Sequence, residues 1–137
     1  MKLCNETITV YNAKYDKTAD ADVYIKTVII GVSWFCEIAT NVDKDGLKAA
    51  NKFIIRIPED ADFGGKDYAK PSDYAKAQDV SKLFTLKAGD IVVKGIATET
   101  SPKPADLHKL YNDVTTILGV TDNRRAPHGK HWKVVGA

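Results

Sequence analysis

The sequence predicts a mainly β protein, a small single-domain β-barrel or sandwich over residues 1–137 with long loops and one short helix. About six to eight short segments are rich in β-branched and aromatic residues, and charged or glycine- and proline-containing stretches separate them. The 44% hydrophobic and 28% charged content is ordinary for one globular domain of this length. Short strands must bury one face and close or cover their edges, which favours a barrel or a sandwich.

The first half of the chain is predicted to form strands. Glu6–Tyr11 alternates polar and apolar residues, as a half-buried strand does, whereas the polar Asn12–Asp22 is expected to be a loop or hairpin tip. Val23–Ala39 is dense in β-branched and aromatic residues, and Gly31 is expected to break it into two strands or to mark a bulge. Leu47–Ile57 is the next predicted strand, and it stops before a proline.

Large apolar residues on these strands and on the last strand of the chain are expected to anchor the core. Aromatic and branched side chains bury the most apolar surface, so they contribute most to a small core. The expected anchors are Trp34, Phe53, Ile55, Ile57 and Trp132.

Two long segments, about 59–83 and 98–112, are predicted as loop insertions between strands. The first mixes carboxylates, lysines and adjacent glycines, and it is expected to be a loop with one helical turn or two around Ser72–Leu83. The second contains Ala105–Tyr111, whose apolar residues recur at helical spacing, and this is the predicted short helix. Between the insertions, Ile91–Ala97 is expected to be a strand that follows a tight turn.

The end of the chain is predicted to be a hairpin with a long, positively charged loop. Asp113–Val120 and His131–Val135 have the composition of strands, and Thr121–Lys130 between them is too short and too polar for a helix. Arg124 and Arg125 in this loop are two of the three arginines in the chain. They form either a solvated loop tip or a contact with an acidic partner surface, because the planar guanidinium suits carboxylates and phosphates.

Charge and hydropathy argue against several classes of function. A net charge of +2 gives no indication of tight nucleic-acid binding. The longest apolar run is short and interrupted, so we expect no membrane span, no signal peptide and synthesis in the cytoplasm. Cys4 and Cys36 lie in or beside apolar segments outside any metal-binding motif, and they are expected to be buried free thiols, with a disulfide between neighbouring strands as the alternative.

The sequence contains no recognisable catalytic motif, so we expect no enzymatic activity, no cofactor and no metal. His128 and His131 lie near Asp122, but a third ligand at recognisable spacing is missing. Neither cysteine has a histidine nearby in sequence, and the glycines do not follow a phosphate-binding pattern. A small enzyme that uses Asp122, His128 and His131 in a loop site is kept as an alternative.

Several ordered segments carry a resemblance to a known family, namely ITVYN, VSWF, GLKAANKFIIRIP, LKAGDIVVKG and ILGVTDNRR followed by HWKVVG. In this order they resemble small prophage proteins of Gram-positive bacteria that are encoded among head-morphogenesis and minor capsid genes. More loosely, they resemble phage head–tail joining proteins of the stopper type. The positions that match that pattern are Trp34, Phe53–Ile57, Gly89–Asp90 and Ile117–Val135, whereas the two long insertions depart from it.

The resemblance implies a structural virion protein, assembled in the host cytoplasm, that forms a homo-oligomeric ring between the portal complex and the tail. Its partners would be further copies of itself, portal or adaptor proteins and tail proteins. DNA would pass through the channel without sequence-specific binding, and the mild net charge suits this because many phosphate contacts would hold DNA in place. The alternative is a minor capsid or tail-terminator protein of the same particle.

The resemblance also implies that long loops supply the contacts between subunits. We therefore expect the interface to draw on the aromatic residues of the first insertion and on the basic residues of the closing loop. The candidate interface residues are Phe63, Tyr68, Tyr74, Arg124, Arg125, His128 and Lys130.

Overall fold

The computed structural model describes residues 4–18, 20–43, 46–100 and 102–137, and for 37–43 and 46–51 it describes the backbone alone. Within these residues, six strands form an antiparallel sheet that closes in a ring, accompanied by a two-stranded parallel sheet and two short helices. The predicted mainly β fold of a small domain is thereby confirmed. In chain order the elements are β1 (Glu6–Asp16), β2 (Ala21–Asp43), β3 (Gly46–Pro58), β4 (Asp67–Tyr68), α1 (Pro71–Lys76), β5 (Leu83–Phe84), β6 (Ile91–Lys94), α2 (Pro104–Leu110), β7 (Val114–Asp122) and β8 (His131–Gly136).

The ring has the strand order β1–β2–β3–β8–β7–β6, and β6 pairs with β1 to close it. Both halves of the ring share β2, which pairs with β1 as far as Val32 and with β3 from Ser33 onward. Gly31 lies at this change of partner with a φ of 97°, and the register between β1 and β2 shifts there. Glycine adopts this conformation without steric cost, so the predicted bulge at Gly31 is confirmed while the strand continues through it.

The loop or hairpin tip expected over Asn12–Asp22 is confirmed only as the short turn between Asp16 and Ala21, because β1 runs on to Asp16 and β2 begins at Ala21. Asn12 is fully buried in β1. Its side-chain amide donates to the carbonyl oxygen of Thr85 at 2.6 Å and to the carboxylate of Asp90 at 2.8 Å. These bonds satisfy the buried amide, so a polar residue can occupy a buried strand position. The alternation of polar and apolar residues does not identify such a position.

The helix predicted over Ala105–Tyr111 is confirmed as α2, which begins one residue earlier at a proline. Proline suits the first helical turn because the amide hydrogen that it lacks would have no partner there. The helical turns expected around Ser72–Leu83 are found as α1, so the described residues contain two short helices instead of one, and segment 59–83 also contains the strands β4 and β5. Tyr74 on α1 is only 1% exposed, and its burial fastens this helix to the ring.

Branched and aromatic side chains fill the interior of the ring. Of the expected core anchors, Phe53, Ile55, Ile57 and Trp132 are buried. Trp34 stays partly exposed and packs against Phe53 with 5.2 Å between ring centroids. The expected burial of both thiols is wrong, because Cys4 is only half-buried and Cys36 is exposed. The largest cluster of buried residues consists of Ile8, Val10, Ile29, Val32, Ile55, Ile57, Phe84, Leu86, Val92, Ile117, Trp132 and Val134.

Beyond the ring, β2 and β3 continue as a two-stranded hairpin, here called the arm (residues 37–43 and 46–52). It contains seven residue pairs, and its residues in β3 precede Phe53, the first residue of β3 that pairs with β8. On its other edge, β2 pairs with β1 only as far as Val32. At about 3.3 Å per residue, the arm extends about 23 Å from the ring. Sequence analysis placed strands on both sides of this hairpin but did not predict that they project beyond the sheet.

Gly136→Ala is expected to destabilise the fold, because the added methyl group has no room. A Cβ at Gly136 would lie 2.4 Å from Thr115 Oγ1 and 2.8 Å from the carbonyl oxygen of Thr116. Overpacking of this kind costs about 1–3 kcal/mol, which thermal unfolding detects as a lower melting temperature. Gly119→Ala is the matched control, since nothing lies within 4 Å of a Cβ at that position. Equal melting temperatures for the two variants would contradict this packing.

Candidate functional site

Four aromatic rings, here called the aromatic cluster (Phe63, Tyr68, Phe84 and Trp132), join segment 59–83 to the closing hairpin. Phe63 stacks on Phe84 with 4.8 Å between ring centroids, and the rings of Tyr68 and Trp132 lie 4.7 Å apart. Tyr68 and Phe84 also pair through the parallel strands β4 and β5, so both backbone and rings hold the segment in place. Phe63 and Tyr68, two of the predicted interface residues, therefore pack against the core of their own chain.

Arg124 covers the aromatic cluster from the closing loop. Its guanidinium carbon lies 4.8 Å from the ring centroid of Trp132 and 5.0 Å from that of Tyr68. Nε donates to both carboxylate oxygens of Asp122, at 2.9 and 3.1 Å, and Nη2 donates to Oδ2 at 2.7 Å. The same guanidinium holds the pKa of the Asp122 carboxyl below its usual value. A paired carboxylate thus fixes the cation over two ring faces, where electrostatic attraction to the rings is strongest.

The two adjacent arginines of the closing loop have different environments. Arg124 is partly buried and contacts its own chain, whereas Arg125 is exposed. Sequence analysis treated the pair as one positive loop tip, because composition does not show which of two neighbours in a turn faces inward. Of the two, Arg125 is the arginine that a partner can reach.

His128 and Lys130, two further predicted interface residues, line an open hollow of about 560 Å³ at the end of β3. One side of the hollow carries Glu59 and Asp60, and the closing loop forms the other side. The amide of Glu59 donates to the carbonyl oxygen of Lys130 at 2.9 Å, which fixes the spacing of the two sides. These four side chains are exposed, so the hollow presents carboxylates opposite basic groups. Its lining consists of Pro58, Glu59, Asp60, Pro127, His128, Gly129 and Lys130.

Sequence analysis did not single out Glu59 and Asp60, whose charges resembled those of any solvated loop. The available signal was their position directly after Pro58, the residue that ends β3. Tyr74, predicted at the interface, is buried instead, with the ammonium of Lys14 at 5.6 Å from its ring centroid. Tyr74 is therefore a contact inside the fold and is not available to a partner.

Two of the three side chains of the alternative catalytic site, Asp122 and His131, make polar contacts with other groups. His131 contacts a loop carbonyl through Nδ1 at 2.5 Å and the amide of Asn123 through Nε2 at 3.2 Å. Asp122 holds the guanidinium of Arg124, and His128 is exposed at the hollow. Over the described residues, no three His, Cys, Asp or Glu side chains are grouped in a way that could hold a metal ion. The same part of the chain contains no helix long and apolar enough to cross a membrane.

A second polar network lies inside the fold around Asp90, which is fully buried. Its carboxylate accepts hydrogen bonds from Lys87 Nζ at 2.5 Å, Asn12 Nδ2 at 2.8 Å and the amide of Ala13 at 3.0 Å. Burial raises the pKa of Asp90, and these donors offset part of that effect. Both carboxylate oxygens have donors, so the network fastens the turn before β6 to β1.

A family model described as a family of unknown function, DUF6751, matches residues 3–137 of the chain. No curated protein and no solved structure matches it. The match spans the ring, the arm and the hollow together.

Arg124→Ala is expected to destabilise the protein by about 1–2 kcal/mol, because it removes a cation from two aromatic faces and leaves Asp122 without its partner. Urea unfolding followed by tryptophan fluorescence measures the change, since Trp132 lies in the contact. Arg125→Ala is the matched control. It is expected to unfold at the same urea concentration as the wild type, because that side chain is exposed. Equal losses in the free energy of unfolding for both variants would contradict the different environments of the two arginines.

The contribution of Asp122 to stability is expected to depend on pH. Its folded-state pKa lies below the ordinary value of 3.8, so the stabilisation is fully present above that value and is lost as the pH falls through the folded-state pKa. At neutral pH, Asp122→Asn is expected to cost less than about 1 kcal/mol, since the pair is largely exposed. Urea unfolding over a pH series should show that the difference in unfolding free energy between the wild type and Asp122→Asn becomes smaller below about pH 4. A difference that stays constant with pH would contradict the ion pair.

Proposed function

We propose that this chain, which belongs to the DUF6751 family, is a structural protein of a bacteriophage particle, a head–tail connector component that forms a ring between the portal complex and the tail. The observation that carries the proposal is the arm. Over the described residues, β3 pairs with β8 only from Phe53 onward and β2 pairs with β1 only up to Val32, so no third strand accompanies the arm.

The strand edges of the arm, which pair with no third strand over the described residues, favour association with another molecule. A two-stranded hairpin without further partners is marginally stable in water, and unpaired strand edges are templates for added strands. Phe35, at the base of the arm, is 53% exposed, and the neighbouring Cys36 is exposed as well. Apolar surface next to a free strand edge is typical of a contact that a partner covers.

The remainder of the molecule is suited to being a rigid subunit. The ring of strands closes on itself, and contacts of Arg124 and Asp90 hold the connecting segments against it. A ring closes only if each copy contacts the next at the same angle, since errors in that angle add up around the ring. A connector subunit must therefore present its contacts at fixed positions. The ordered segments that resemble head–tail joining proteins and the net charge of +2 agree with this role. The proposal assigns the chain no reaction, cofactor or sequence-specific DNA contact.

The proposal is tested by shortening the arm in a phage that encodes this chain. Residues 38–51 are replaced by Asn-Gly, which joins the paired residues Glu37 and Lys52 through a two-residue hairpin turn. The isolated protein is expected to keep the melting temperature of the wild type within a few degrees, because the ring is unchanged. Electron microscopy of induced lysates is expected to show filled or leaking heads without tails.

The Gly119→Ala phage is the control for this experiment, since the substitution alters the chain without touching the arm. Normal tailed, infectious particles from the arm-shortened phage would overturn the connector role. Incomplete shells that still carry tails would instead favour the minor capsid alternative.

A further inference from the structure

The buried carboxylate of Asp90 brings together two side chains that can react with each other. One of its oxygens accepts a hydrogen bond from Lys87 Nζ at 2.5 Å, and the other accepts one from Asn12 Nδ2 at 2.8 Å. A primary amine is a nucleophile, and the carboxamide of an asparagine is an electrophile. Holding both groups against one carboxylate turns their encounter into an intramolecular step, which favours reaction between them.

The carboxamide of Asn12 is held and polarised by the backbone of Thr85. Its Nδ2 donates to the carbonyl oxygen of Thr85 at 2.6 Å, and its Oδ1 accepts a hydrogen bond from the amide of Thr85 at 3.2 Å. Attack on Cγ of Asn12 would place negative charge on Oδ1, and the Thr85 amide is a donor at that atom. Asn12 and Asp90 are both fully buried, so water has little access to compete with the amine.

Lys87 reaches this site because the chain turns sharply before β6. The amide of Asp90 donates to the carbonyl oxygen of Lys87 at 3.2 Å, and Gly89 has the positive φ of 93° that the turn requires. The turn places the ammonium of Lys87 on the carboxylate three residues later, while its side chain stays partly exposed. The amine therefore approaches from the protein surface and ends at a buried acid.

Asp90 is placed to move the protons that an amide transfer requires. A lysine attacks only after its ammonium has lost a proton, and the carboxylate that already accepts its hydrogen bond is the base for this step. Burial raises the pKa of Asp90, which favours its taking that proton. The amide of Ala13 donates to the same carboxylate at 3.0 Å and fixes its orientation.

We infer that Lys87 and Asn12 become joined by an intramolecular amide bond, with Asp90 as the catalytic acid and base. Asp90 takes one proton from the ammonium of Lys87, and the neutral Nζ attacks Cγ of Asn12. Asp90 delivers that proton to Nδ2 and takes a second proton from Nζ. The bond between Nζ and Cγ is then complete, the bond between Cγ and Nδ2 breaks, and ammonia leaves with the second proton as an ammonium ion. No oxidant, cofactor or second substrate is consumed.

The bond would connect β1 to the turn that precedes β6, two elements that are distant along the chain and adjacent in the ring. A covalent link between distant residues restricts the unfolded chain and so favours the folded state. The reaction needs one folded molecule alone, so this inference does not depend on the proposed connector role. Its failure leaves the connector role to the particle experiment.

Intact-mass spectrometry of the purified full chain tests the crosslink. The wild type is expected to be lighter than its sequence by one molecule of ammonia, and a protease digest should contain one branched peptide that joins residues 12 and 87. Lys87→Arg keeps a cation beside Asp90 but replaces the amine by a guanidinium that stays charged, and Asp90→Asn removes the acid and base. Both variants are expected to retain the full mass of their sequences.

Lys82→Arg is the matched control, since it changes an exposed lysine of the same connecting segment and is expected to leave the loss of ammonia unchanged. A wild-type chain that keeps its full mass after prolonged incubation in the folded state overturns the crosslink. Ammonia loss that persists in Lys87→Arg indicates cyclisation of an asparagine and also overturns it. Full crosslinking in Asp90→Asn would overturn the role of Asp90. The wild-type digest decides whether the bond exists even where a variant fails to fold.

Discussion

The structure depends on one strand that changes its partner. β2 is 23 residues long and pairs first with β1 and then with β3, so it connects the two halves of the ring. Gly31 permits the change because its positive φ lets the strand shift register without steric conflict. The ring closes because its two halves share β2. The arm forms because β2 and β3 remain paired beyond the residues that pair with β1 and β8. The same feature thus produces both the rigid body and the projecting hairpin.

Side-chain contacts turn the long connections into parts of that rigid body. The aromatic cluster and Arg124 hold segment 59–83 against the closing hairpin, and the buried carboxylate of Asp90 ties the turn before β6 to β1. The hydrogen bond between Glu59 and Lys130 holds the two sides of the hollow together. The body of the ring is therefore held by contacts between distant segments, whereas the described part of the arm pairs only within itself. A rigid body of this kind suits the proposed ring subunit.

Most of the strands could be predicted from the sequence, because alternation and β-branched composition report directly on half-buried strands. Asn12 was misassigned to a loop, since its burial depends on hydrogen bonds to residues far along the chain. The aromatic cluster was missed for the same reason: composition shows that Phe63 and Tyr68 are aromatic, but not that they meet Trp132. Arg124 was expected to face a partner, and only the fold places two ring faces beneath it. Local pattern predicts elements, whereas the site is made by contacts between distant segments.

The central claim is that the arm is the part of the chain that assembly covers. Hydrogen exchange of the arm amides, compared between dilute monomer and assembled protein, tests it most directly. The account predicts that amides of residues 37–43 and 46–52 exchange rapidly in the monomer and become protected on assembly, while amides of β8 are protected in both states. Arm amides that exchange equally fast before and after assembly would contradict it.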